Sequence, residues 1–318
     1  MWSEETIRLI HAACTEDLAE AGDVTSSLLG DPDTETTAGV VPRAGGVICG
    51  MALGPEICKV FSDRLDSKLD FTPAMRTGGR SQDGQEVNAG ETVATVAGPK
   101  AAVLAVERTL LNFLGRMGGV ATLTHQYVET ARQANPNVQI LDTRKTIPGW
   151  RELDKYAVGC GGGYNHRMGL YDAILIKDNH LAGVPTERLA GTLSDMLNRL
   201  QHGKVGSTRR GASDRALNAS EGSSPKFVEV EVDDLDQLAE VCKVVGVDLV
   251  LLDNFPLEQM RAAVEFRDAQ GLRGKVALEA SGRVTLENVA DIAATGVDRI
   301  SVGALTHSAP SLDIGLDF

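Results

Sequence analysis

Long apolar runs are missing from this sequence. No stretch approaches the ~20 apolar residues that a membrane-spanning helix needs. The opening segment MWSEETIRLIHAAC carries acidic residues and too short an apolar run for a secretory leader. Cysteine is sparse and scattered. Cys14, Cys49, Cys58, Cys160 and Cys242 are odd in number and form no Cys-x-x-Cys pair, which reads as idle thiols in a reducing compartment. The histidines lack zinc-ligand spacing. Excess positive charge is also missing: the formal net charge is -13, so no basic face for nucleic acid is expected. These absences point to a cytoplasmic enzyme that engages neither membrane nor nucleic acid. Aromatic residues make up only 4%, whereas glycine and small aliphatic residues abound, as suits a turn-rich α/β protein. At 318 residues the chain is long enough for two domains.

The spacing predicts an amphipathic helix over 3–21, with Ile7, Ile10, His11, Cys14 and Leu18 on one side. Residues 36–98 read as antiparallel strands with tight turns. Their GQEVNAGETVATVAG hairpin is similar to those of lipoyl-type domains but has no lysine at the turn. A helix is expected over 100–116, and a second one, after MGGVAT, to about Arg132. From there the rhythm is strand, loop, helix. Strands are expected at 138–142, 173–177, 226–232, 247–253, 275–280 and 298–303. Helices between them include 186–200, 234–245 and 285–295, with Thr186 and Thr285 as N-caps and Gly246 and Gly296 as stops. Repeated βα units imply a parallel sheet closed, or nearly closed, into a barrel. Residues 201–225 are polar and aperiodic and read as a surface insertion, with Lys204, Arg209 and Arg210 in solvent.

In parallel barrels the ligand lies at the C-terminal strand ends. Those ends deliver Asp142, Arg144 and Lys145; then Lys177, Asp178 and Asn179; then Glu229 or Glu231; then Asp253 and Asn254; then Glu279, Ser281 and Gly282; and last Gly303. Cations gather on the first two strands and anions on the next two. That division suits a small ligand with anionic groups and a part that binds metal or hydroxyls. Ser281 and Gly282, and likewise Gly303, are read as lying just ahead of helices, where backbone N–H groups would meet a phosphate. GCGGGYNHR fails the dinucleotide-binding spacing, and its glycines are expected to aim His166 and Arg167.

The segments ERTLLNFLGRMGGVAT, LDTRKTIPGWRELDKYAVGCGGGYNHRMGLYDAILIKDNH, VEVEVDDLDQL, DLVLLDNF, LEASG and DRISVGALTHS, with EDLAEAGDVTSSLL before them, run in order along the chain. In these segments the sequence resembles the quinolinate phosphoribosyltransferases. The resemblance implies an α/β protein with an N-terminal α/β sandwich domain over 1–115, joined by the tail 304–318. A C-terminal parallel α/β barrel of type II phosphoribosyltransferase kind would span 116–303. It implies transfer of phosphoribose from 5-phosphoribosyl 1-pyrophosphate to quinolinate in NAD biosynthesis. The products would be nicotinate mononucleotide, pyrophosphate and carbon dioxide. Magnesium would be required, and the assembly would be a homodimer or a higher homo-oligomer with active sites shared between subunits.

By the same resemblance Arg144, His166, Arg167 and Lys177 line the quinolinate pocket, and Arg108 comes from the neighbouring subunit. Lys145 meets the pyrophosphate donor. Glu231 and Asp253 hold magnesium and the ribose hydroxyls, and together with Lys145 are the catalytic residues. Ser281, Gly282 and Gly303 hold the 5-phosphate, with His307 nearby. The sequence departs from the family at Arg283, where a second glycine is common. A phosphoribosyltransferase for another heteroaromatic acid, such as nicotinate, and a non-catalytic ligand-binding relative are the alternatives.

Overall fold

The protein is described by a computed structural model over residues 2–74, 83–201 and 225–318. All but the ends of the expected insertion at 201–225, including Lys204, Arg209 and Arg210, lies outside the described residues.

The elements run α1 (Glu4–Leu18), β1 (Glu35–Pro42), β2 (Gly46–Val47), α2 (Gly54–Leu65), β3 (Asp70–Pro73), β4 (Glu86–Val87), β5 (Ala94–Pro99), α3 (Lys100–Ala134) and β6 (Gln139–Leu141). They continue α4 (Arg151–Cys160), β7 (Ile174–Ile176), α5 (Thr186–Gln201), β8 (Val228–Val232), α6 (Leu235–Val241), β9 (Leu249–Asp253), α7 (Leu257–Ala269), β10 (Ala277–Ser281), α8 (Val289–Ala293), β11 (Arg299–Ser301), α9 (Ala304–His307) and β12 (Ile314–Asp317). Two compact units result. The first comprises Met1–Glu129, Asp142–Asn165 and Gly303–Phe318; the second comprises Thr130–Leu141 and His166–Val302.

The first unit holds an antiparallel sheet in the order β12-β1-β5-β3. Val40, Val96 and Ala38 on this sheet are fully buried. α1 starts at an N-cap, Ser3, whose side chain accepts from the Thr6 N–H, and it buries Ile10, Cys14 and Leu18. The strand-only expectation for 36–98 misses α2. Pro55 opens this helix, and Ile57, Cys58 and Phe61 recur at helical spacing on its buried face.

The two helices expected on either side of MGGVAT are one, α3. Gly115, Gly118 and Gly119 do not break it; they admit the segment 310–312. A Cβ on Gly119 would overlap the Pro310 carbonyl, and one on Gly115 would stand 2.9 Å from Leu312 O. Leu312 N–H donates to Gly115 O at 2.9 Å. Each glycine costs about 1 kcal/mol of helix propensity, which this close approach offsets.

The second unit holds six parallel strands in the order β6-β11-β10-β9-β8-β7. Val230, Val250, Leu252, Leu278 and Ile300 on these strands are fully buried, which is why they read as apolar runs. Thr285 does not cap α8: that helix begins at Val289 after Asn288, and Asn288 Oδ1 accepts from Thr285 N–H at 2.8 Å. α6 ends at Val241, five residues before Gly246. Among the described residues, no helix is long and apolar enough to cross a membrane.

Candidate active site

Parallel pairing decides which side chains of the second unit share a face. Residues in register point the same way, and alternate residues point to opposite sides. Glu229 is level with Leu175, Glu231 with Leu251, Leu251 with Glu279, and Asp253 with Ser281. Two residues beyond Leu175 comes Lys177. Lys177, Glu231, Asp253 and Ser281 therefore stand on one face at the C-terminal ends of β7, β8, β9 and β10, four consecutive neighbours in the sheet.

Lys177 Nζ and Glu231 Oε2 form an ion pair across this edge, with side-chain exposures of 41% and 9%. Asp253 Oδ2 accepts from Asn254 Nδ2 at 2.7 Å, and Asn254 N–H donates to Ser281 O at 2.9 Å. Gly282 follows with φ of 93°, and a Cβ there would overlap the Asn254 amide. Arg283 and Asn254 are also left-handed, at φ of 51° and 54°. The conformation at 283 favours glycine and makes arginine a strained choice. The helix-terminus argument for a phosphate fails at Ser281 and Gly282, because α8 starts seven residues after Gly282. At Gly303 it is weak as well, since α9 has only four residues.

In the first unit, Gly303 does something else. A Cβ there would lie 3.1 Å from His307 Nε2 and 3.2 Å from Lys145 Cδ, so the bare glycine lets these two side chains converge. The Lys145 backbone is held at both ends: its N–H donates to Thr143 Oγ1 at 3.0 Å, and its carbonyl accepts from Thr306 Oγ1 at 2.8 Å. Thr306 is held in turn by Arg116, which donates to its carbonyl and pairs with Asp154 at 3.0 Å. Asp142, expected as a strand-end site group, is instead fully buried against Lys155 of α4. With its amide oriented to satisfy both neighbours, Asn165 Nδ2 donates to Asp142 Oδ2 at 2.7 Å and to Lys155 O at 2.9 Å. These bonds tie the LDTRKT turn to the following helix. Arg144 Nε is shielded from solvent and has no hydrogen-bond partner among the described residues, which suits a donor kept for an anionic ligand. Arg108 is exposed on α3. It adjoins a cleft lined by Leu9, Ala13, Phe113 and Trp150, whose two rings stack at 4.8 Å.

His166 and Arg167 are nearly enclosed, at 7% and 8% exposure. His166 Nε2 lies 2.9 Å from Glu229 Oε2 and 3.4 Å from Glu279 Oε1. Of the two sequence alternatives on β8, Glu229 thus lies fully buried beside His166, and Glu231 lies at the strand end with Lys177. Glu279, expected at a strand end, is an interior group too. Sequence reasoning missed Lys155 and Arg299 altogether. Each directly follows an aspartate, Asp154 and Asp298, so the sequence shows only an ordinary pair of opposite charges.

Two donor sets are suited to an ion. Glu231 and Asp253 offer hard oxygens at the strand ends, and His166, Glu229 and Glu279 offer three clustered atoms in the interior. In the interior set, Arg299 already donates to Glu279 Oε2 at 2.7 Å and supplies positive charge.

The first unit is built on an antiparallel sheet, and the second on a parallel, barrel-type sheet with an ionic C-terminal edge suited to a small anionic ligand. The family model for the quinolinate phosphoribosyl transferase C-terminal domain matches residues 120–317, and that for the N-terminal domain matches 23–118. The chain is 40% identical over 308 residues to the nicotinate-nucleotide pyrophosphorylase [carboxylating] of Mycobacterium leprae, covering 97% of this chain and 95% of that protein. It is 35% identical to quinolinate phosphoribosyltransferase [decarboxylating] 1b of Nicotiana tabacum, covering 97% and 81%. The solved nicotinate-nucleotide pyrophosphorylase of Francisella tularensis superposes with a TM-score of 0.78 at 34% identity, over 100% of this chain and 97% of that one. The chain belongs to the quinolinate phosphoribosyltransferase family, a family of decarboxylating pentosyltransferases. Human nicotinic acid phosphoribosyltransferase, with a TM-score of 0.51 at 14% identity, shares the fold alone.

Proposed function

We propose that the protein joins quinolinate to 5-phosphoribosyl 1-pyrophosphate, forming nicotinate mononucleotide, pyrophosphate and carbon dioxide for NAD biosynthesis. The observation that carries this reading is the edge formed by Lys177, Glu231, Asp253 and Ser281 on four neighbouring strands. It sets a cation for a carboxylate beside two carboxylates for the ribose and its metal.

Quinolinate presents two carboxylates. Arg144 and Arg167 supply planar forks and Lys177 a point charge, with His166 in the pocket wall. Arg108 completes the pocket from a neighbouring copy in a homodimer, a role that its exposure supports. Lys145 meets the pyrophosphate, which leaves as positive charge develops on the ribosyl centre. Glu231 and Asp253 stabilise that charge and hold the ribose hydroxyls. Ser281, Gly282 and Gly303 hold the 5-phosphate, with His307 beside it. The pyridine nitrogen attacks the anomeric carbon as pyrophosphate leaves, the adjacent carboxylate then departs as carbon dioxide, and the electron pair left on the ring carbon, stabilised by the neighbouring pyridinium nitrogen, takes up a proton from solvent. No protein nucleophile enters.

The hard oxygens of Glu231 and Asp253, on one face at the ends of adjacent strands, fit magnesium, and these two residues would hold it. Bound there, magnesium would neutralise pyrophosphate charge. We place the reaction in the cytoplasm, where the five free thiols stay reduced.

The test is incubation with quinolinate, 5-phosphoribosyl 1-pyrophosphate and magnesium, following nicotinate mononucleotide and carbon dioxide together. Both products from quinolinate, and none from a nicotinate control, are expected. Turnover of nicotinate alone would reject the reading.

A further inference from the structure

Below Glu231 the inner face of the parallel sheet carries charge where hydrocarbon is usual. Glu229 and Glu279, on the two strands that flank β9, have no exposed surface. Two side chains face these carboxylates: His166, with Nε2 at 2.9 Å from Glu229 Oε2 and 3.4 Å from Glu279 Oε1, and Arg299, with Nε at 2.7 Å from Glu279 Oε2. Phe227 closes one side: its ring meets His166 edge-on at 5.3 Å, and the Arg299 guanidinium lies 5.6 Å from its centroid.

Two buried carboxylates are a poor way to stabilise a core, since apolar residues of similar volume usually do as well or better. What the cluster does control is the imidazole. The far ring atom, Nδ1, accepts the Arg167 backbone N–H at 2.8 Å. That bond places the ring proton on Nε2, toward the carboxylates. The chain of contacts thus runs from two strands, through one ring, to the backbone of Arg167. It ends on the residue whose own guanidinium is almost wholly enclosed and has little room to correct an error of placement.

We infer that Glu229 and Glu279 are positioning residues that act on quinolinate binding through His166 and the Arg167 backbone. The inference rests on the proposed contact between Arg167 and a quinolinate carboxylate. A bidentate fork loses its advantage when displaced by a fraction of an ångström, so a network that fixes ring and backbone together sets affinity for the planar diacid. It leaves the phosphoribosyl donor untouched, because no member of the network is assigned to it.

The test is a double-mutant cycle of Glu279→Gln with Arg167→Ala, reading KM for quinolinate and for 5-phosphoribosyl 1-pyrophosphate separately. Glu279→Gln alone is expected to raise quinolinate KM about tenfold and leave the donor's KM within about twofold. In the Arg167→Ala background it should add less than about twofold. Full additivity, or an equal rise in both KM values, would overturn the inference. An unchanged quinolinate KM in Arg167→Ala alone would overturn the reading beneath it instead. Glu229→Gln, which keeps the Glu279–Arg299 bond, gives the same test if Glu279→Gln does not fold.

Discussion

Lys177 and Glu231 are ion-paired across neighbouring parallel strands, although the proposed reaction uses them on different substrates. Lys177 would meet quinolinate, and Glu231 the ribose and its metal. The pair therefore couples the two halves of the reaction. Lys177→Met should lower kcat/KM for quinolinate by roughly 10- to 100-fold, from the loss of a charge-assisted contact of about 1.5–3 kcal/mol. Because the lysine is 41% exposed, the melting temperature should move little. Steady-state kinetics and a thermal melt check both, and an unchanged kcat/KM would remove Lys177 from the site.

The Asp142–Lys155 pair behaves differently, because both groups are buried. Lys155→Met leaves a carboxylate without its counter-charge and should destabilise the protein by about 3–5 kcal/mol. Combining it with Asp142→Leu should recover much of that loss. Urea midpoints of the two variants decide the matter, and equal midpoints would mean that the pair contributes little.

Sharing of active sites between copies predicts complementation. Arg108→Ala and Lys177→Ala subunits, each inactive alone, should regain about a quarter of wild-type activity when mixed in equal amounts and allowed to exchange. Half the dimers would then be mixed, each with one intact site. No recovery after confirmed exchange would place Arg108 and Lys177 in one subunit's site.

The parallel sheet is legible in the sequence because its strands are buried on both faces and read as apolar runs. The helix α2 is not. Its Gly54-Pro55 start looks like a turn, and twelve residues are too few for periodicity to overrule that signal. The glycines of α3 mislead for a related reason: helix breaker and close-contact residue look alike until Pro310 is seen against them. On β8, alternation puts Glu229 and Glu231 on the same face, so the period of two cannot choose between them. Only depth separates them, one beside His166 and one beside Lys177. Arg144 and Lys145 are legible as a pair of cations, but one of the two bonds that hold the Lys145 backbone comes from Thr306, 161 positions away.

The pairing of β12 with β1 has a consequence for synthesis. The first sheet takes its outer strand from residues 314–317, which emerge from the ribosome after all of the parallel sheet. Until then β1 presents one row of backbone donors and acceptors with no strand beside it. A nascent chain at this stage is open to pairing with another copy, so translation pauses late in the message or a shortage of holding chaperones should favour aggregates seeded at residues 39–42.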